Sequence, residues 1–81
     1  MNNPLIESTL DIVIAELRKA QIEHPDWPDD YIHRADIVAE EAGELVKASL
    51  EHHYEGKCPK KMYWEAVQTA ATAIRFLLNY P

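Results

Sequence analysis

The 81 residues bound the chain to a single domain spanning 1–81, and 47% hydrophobic content is enough for a folded one. Fourteen acidic against eight basic residues give a net charge of −6, which argues against a cationic phosphate-backbone surface, so no nucleic-acid partner is expected. No stretch reaches the ~18 apolar residues of a membrane span, the opening MNNPLIESTL has no basic-then-apolar leader pattern, and the lone Cys58 rules out an internal disulfide; a cytoplasmic protein with no membrane partner is the expectation.

A first helix is predicted from about Pro4 to Glu23. Asn3 can cap it, and Pro4 stands at the favoured first position. Ile6, Leu10, Val13, Leu17 and Ala20 recur at three- and four-residue spacing and form one apolar stripe. The segment HPDWPDD, 24–30, breaks the pattern with two prolines and three aspartates and reads as a loop.

A second helix is predicted from about Asp30 to Tyr54, capped by Asp29 or Asp30 and stopped by Gly56. Ala35, Val38, Ala42, Leu45, Ser49 and Leu50 share the face expected to be buried. At ~100° per residue, Glu41 falls about 60° from Val38 and Glu44 about 60° further round, at the shoulder of that face. Gly43 between them is a poor helix former that leaves room for close approach by a helix or ligand.

After a second loop, EGKCPKK at 55–61, a third helix is predicted from about Lys61 to Asn79. Ala66, Ala70, Ala73, Ile74 and Leu77 form its apolar side; Glu65, Gln68, Thr69, Thr72 and Arg75 form a polar stripe opposite, able to face solvent or line a polar cavity. The fold class expected is therefore all-α: three main helices, with helices two and three in an antiparallel hairpin. So small a chain has a marginal core of its own and too few helices to enclose a site, so association into an oligomeric helical bundle, a homodimer or homotetramer, is expected.

Chemistry concentrates in DIVAEEAGELVKAS, 36–49. Glu41 and Glu44, spaced i, i+3, put two carboxylates on one patch of helix, where unpaired they repel by about a few tenths of a kcal/mol. A hard divalent cation reverses the sign, because Mg2+ takes carboxylate, water and phosphate oxygens. Glu65 and Gln68, again i, i+3, can face that pair across the hairpin. The plain alternative is a solvated acidic face.

EEAGEL, 40–45, also resembles the E-E-x-x-E signature of the MazG-like all-α nucleotide pyrophosphohydrolases, and EAVQTAATAIRFLL, 65–78, looks like that family's second metal helix, which carries E-x-x-D. Twenty residues separate Glu44 from Glu65, a spacer of the family's usual size, and the likeness covers about residues 27–78. Gln68 stands where the family has aspartate; an amide oxygen can ligate Mg2+ but brings no charge. The resemblance implies Mg2+-dependent hydrolysis of a nucleoside triphosphate to a monophosphate and pyrophosphate, a housecleaning activity, with Mn2+ able to substitute. It implies Glu41, Glu44 and Glu65 as metal ligands with Gln68 as a fourth, and Glu40 or an incompletely engaged ligand carboxylate as the proton acceptor. The alternative it leaves open is a helical interaction or nucleotide-binding module with a degenerate metal site.

Other residues admit two readings each. Trp27 and Tyr31 can stack on a nucleobase or anchor the loop to the core. His33 can contact base or phosphate or lie on the surface. Arg75 can pair with phosphate or with a site glutamate, and Lys57, Lys60 and Lys61 can attract phosphate or remain solvated. His52, His53 and Cys58 lack the spacing of a structural zinc site.

Overall fold

The computed structural model describes residues 4–80, and all regular structure among them is helical. Helix α1 spans Pro4–Glu23, α2 Tyr31–Glu55 and α3 Pro59–Leu78. The Asn3 cap expected from the sequence lies outside the described residues. At the start of α2, Asp30 is the cap: its carboxylate accepts a hydrogen bond from the Ile32 N–H at 2.9 Å. At the other end Gly56 adopts the left-handed conformation (φ 67°), and its N–H reaches back to the α2 carbonyls, the Gly cap that lets the chain reverse. Lys57 closes the same turn, with Nζ 2.8 Å from Glu51 and its carbonyl 2.6 Å from His52 Nδ1. The third helix begins two residues before the expected start, because Pro59 occupies the first-turn position that suits its fixed φ and absent N–H.

Helices α2 and α3 pack most closely, and they are antiparallel: Arg34, in the first turn of α2, donates from Nη1 to the Asn79 carbonyl just past α3 at 2.7 Å. Helix α1 packs on α3 in the same sense as α3. Its Val13 and Leu17 join Val67 and Ala71 in the buried core, and Ile12, Ala70 and Ile74 close around them. Among the described residues α1 and α2 make no backbone contact with each other. The central helix is therefore α3, with α1 and α2 splayed on either side and a cleft between them.

The buried faces differ from those expected. On α2 the inward face holds Val38, Ala42, Leu45 and Ser49 of the expected stripe, all half-buried, together with Arg34, Ile37, Glu41, Ala48 and His52, of which Ala48 is fully packed. The face is wider than the apolar stripe read from the sequence: it continues past Val38 by about 60° and more, to Glu41, Ala48 and Ile37. Ala35 and Leu50, expected inside, are exposed, and Glu41 lies within the inward face rather than at its shoulder. On α3 the most buried line is Val67, Ala71 and Arg75, and Ala66 and Leu77 of the expected apolar side are exposed. The physical reason is that α3 has neighbours on two sides. It turns its polar stripe toward the gap between them and leaves much of its apolar side uncovered.

Candidate functional site

The cleft between α1 and α2 has two joined lobes that share Ala20, His24, Glu41, Ala71 and Thr72. The first, about 230 Å3, is acidic: α1 adds Glu16, Lys19 and Glu23, and α3 adds Gln68. The second, about 240 Å3, is more apolar and is bounded by Leu17, Asp26, Trp27, Ile37 and Arg75. Together the lobes reach the low end of the ~300–1,000 Å3 usual for small-molecule sites.

Glu41 belongs to both lobes. Burial, and then the negative charges of Glu65, Glu44, Glu40 and Glu16, hold its carboxyl above the usual carboxylate range. Glu65 of α3, across the hairpin, and Glu44 thus both act on Glu41, and Glu16 of α1 adds a further carboxylate from its own side. Glu65 is half-buried, while Glu40 and Glu44 are exposed. The threonine hydroxyls of the polar stripe turn back on their own helix, Thr69 to the Glu65 carbonyl at 2.7 Å and Thr72 to the Gln68 carbonyl at 2.6 Å.

Two arginines fix the end of the cleft near the 24–30 loop. Arg75 is buried; its Nη2 donates to the His24 carbonyl at 2.6 Å, and its guanidinium lies 4.6 Å from the centre of the Trp27 ring. Arg34 donates from Nε to the Pro28 carbonyl as well as to Asn79. The cation on Trp27 and the loop carbonyls offset the cost of removing Arg75 from water. The Trp27 indole nitrogen is buried without a hydrogen-bond partner among the described residues.

Of the residues singled out from the sequence, Glu41, Gln68, Trp27 and Arg75 line the cleft, and Glu65 and Glu44 act on it electrostatically. Tyr31, His33 and Lys61 are exposed and outside its lining. Gly43 has open space around it: a Cβ there meets nothing within 4 Å, so no helix of this chain uses the room it leaves. Sequence reasoning missed the α1 wall. Glu16, Lys19, Ala20 and Glu23 recur at three- and four-residue spacing beside Leu17, which was the available signal.

The donor set can be tested against a metal. Glu41, Glu44, Glu65 and Gln68 offer oxygen only, with surplus negative charge, the chemistry that suits Mg2+ or Mn2+. No three acid, histidine or cysteine side chains among the described residues already stand in position to enclose an ion. Holding one would require side-chain rotation, for which the exposed Glu44 has freedom. Comparison with protein-family models, with curated proteins and with solved structures gave no significant match.

Proposed function

We propose that the cleft binds a nucleoside triphosphate together with Mg2+ and hydrolyses it to a nucleoside monophosphate and pyrophosphate, in a self-associating protein. One observation carries this reading: Glu41 is turned inward, against other carboxylates, at a cost to the fold that a divalent cation would remove. The resemblance of EEAGEL to the pyrophosphohydrolase signature points to the same chemistry.

In this reading Glu41, Glu44 and Glu65 hold the ion, with the Gln68 amide oxygen as a weaker fourth donor. When bound, the metal supplies charge for the triphosphate oxygens and a more acidic water. The chain supplies the rest. Glu40, exposed next to Glu41, accepts the proton of the attacking water. Lys19 lies in the acidic lobe, where an ammonium can meet a phosphate oxygen. Trp27 lines the adjoining lobe, where the ring face not covered by Arg75 can take a nucleobase.

The test is pyrophosphate release from a panel of canonical and modified triphosphates with Mg2+ or Mn2+. Turnover that falls at least ~100-fold in Glu41→Gln supports the reading; silence across the panel overturns it. A second reading, a nucleotide-binding or interaction module without turnover, is favoured by Gln68 at the position where the family carries aspartate. It is distinguished by metal-dependent thermal stabilisation with no product.

A further inference from the structure

The second lobe of the cleft, the one that holds Trp27, is lopsided in its hydrogen-bonding capacity. Its donors are engaged or out of reach. Arg75 is buried, with Nη2 donating to the His24 carbonyl and the guanidinium held against the Trp27 ring. The Trp27 indole nitrogen is itself buried, away from the open lobe. Thr72 donates its hydroxyl proton to the Gln68 carbonyl at 2.6 Å, which leaves only the lone pairs of its oxygen for a ligand. Lys19 lines the acidic lobe and not this one.

What the lobe offers a ligand is acceptors. Asp26, next in the chain to Trp27, lines it, is exposed, and forms no hydrogen bond or ion pair with another described residue. An ionised carboxylate can only accept. Glu41 is a second carboxylate on the lobe, but the reading above assigns its oxygens to the ion. Asp26 lines this lobe alone, so its effect is separable from the metal. His24 can take either role.

Nucleobases differ in what they present to such an acceptor. An exocyclic amine donates to it, the pairing by which Asp and Glu read the cytosine amine. A carbonyl at the same position sets two acceptors against each other, and the charge of the carboxylate adds repulsion. The N–H of uracil can still donate, but it lies between two carbonyls that repel the same carboxylate. Guanine presents an N–H and an amine side by side, which match both carboxylate oxygens; hypoxanthine presents the N–H without the amine.

We propose that the Trp27 lobe selects nucleobases that carry an exocyclic amine, with Asp26 as the specificity-determining acceptor. Cytosine is then preferred to uracil, and guanine to hypoxanthine. This rests on the reading of the cleft as a triphosphate site and adds the class of base, which neither metal nor phosphate distinguishes.

The experiment is calorimetric titration of the full chain, in Mg2+, with the α,β-imido analogues of CTP, UTP, GTP and ITP, whose bridging nitrogen resists cleavage. Within each pair that binds, CTP with UTP and GTP with ITP, the amine-bearing analogue should bind at least ~10-fold tighter, the ratio that one hydrogen bond to a charged group supports. Asp26→Ala should bring that ratio below ~3-fold, chiefly by weakening the amine-bearing analogue. Asp29→Ala, in the same loop but outside the lining, should leave it unchanged. Thermal melts check the fold of each variant. If Asp26→Ala proves unstable, Asp26→Asn replaces it: the size is kept, and an amide that can donate to a carbonyl should narrow the ratio too. A pair that binds without the gap overturns the proposal and leaves the triphosphate reading standing. A gap that survives removal of the Asp26 carboxylate also overturns it. Failure of every analogue to bind overturns the triphosphate reading, and this inference with it, so the two failures are told apart.

Discussion

Replacing Glu41 with glutamine keeps the size of the side chain and removes the charge that burial and the carboxylates of Glu65, Glu44, Glu40 and Glu16 oppose. Without metal, Glu41→Gln should therefore stabilise the fold by about 0.3–0.5 kcal/mol, with water screening keeping the gain small. For a chain of this size that is about 2 °C in Tm. The dependence on pH follows from the sign of the shift. A carboxyl whose pKa is raised by folding takes up its proton more readily in the folded state, so the penalty is fully present above the raised value. It is relieved as pH falls through that value toward the unfolded 4.5. The Tm gap between variant and wild type should be widest near neutrality and close by about pH 4; a gap that persists in acid would mean that charge is not the cause. Arg75→Ala should act in the opposite direction. It removes a charge-assisted hydrogen bond to His24 and the cation on Trp27, a loss of about 2–3 kcal/mol that releases the loop end of the cleft. Intrinsic Trp27 fluorescence, in a background with Trp64 replaced by phenylalanine, would report it. The sequence made Glu41 and Arg75 visible as candidates but left their neighbours open, because spacing along one helix says nothing of which other helix lies against it.

Helix bounds follow from local chemistry, and this is the scale at which the sequence was most legible. Asp30, Gly56 and Pro59 each satisfy or avoid backbone groups within a few residues, so caps and stops can be read without knowing the fold. Asp30→Ala should cost about 1 kcal/mol, lowering Tm by ~4–8 °C. Gly43→Ala should do the reverse: the position is helical, not left-handed, and open, so replacing the weak helix former should add up to about 1 kcal/mol. Thermal melts of the two variants against wild type check both signs. The faces of α2 and α3 were less legible. Each carries two lines with a claim to burial, one apolar and one containing Glu41 or Arg75, and periodicity alone favours the apolar line. The structure buries most of the mixed line and half-buries most of the apolar one, because α3 has to serve α1 and α2 at once. Only the three-dimensional arrangement could show that Glu16 of α1 joins the carboxylates.

At the scale of the molecule, two outer helices rest on a central one with no close backbone approach to each other among the described residues, and the arginine hydrogen bonds tie the chain together at one end of the cleft between them. Such a site is poorly braced, and the carboxylates in it repel. A ligand that brings positive charge and bridges α1 to α2 should therefore stabilise the whole chain as well as occupy the cleft. Neither component alone meets both conditions. Mg2+ supplies the charge but not the span, and a triphosphate supplies the span but is repelled by a chain of charge −6. The two together at ~100 times their dissociation constant should contribute about 2.7 kcal/mol. For a domain of this size that raises Tm by more than ~10 °C. The rise should vanish with EDTA and in Glu41→Gln, even though that variant starts slightly more stable than wild type. Crossed behaviour of this kind, higher stability without ligand and lower stability with it, separates a metal site from a merely crowded acidic face. In a crowded face Glu41→Gln would remain the more stable protein under every condition, and the triphosphate would shift both proteins equally or not at all.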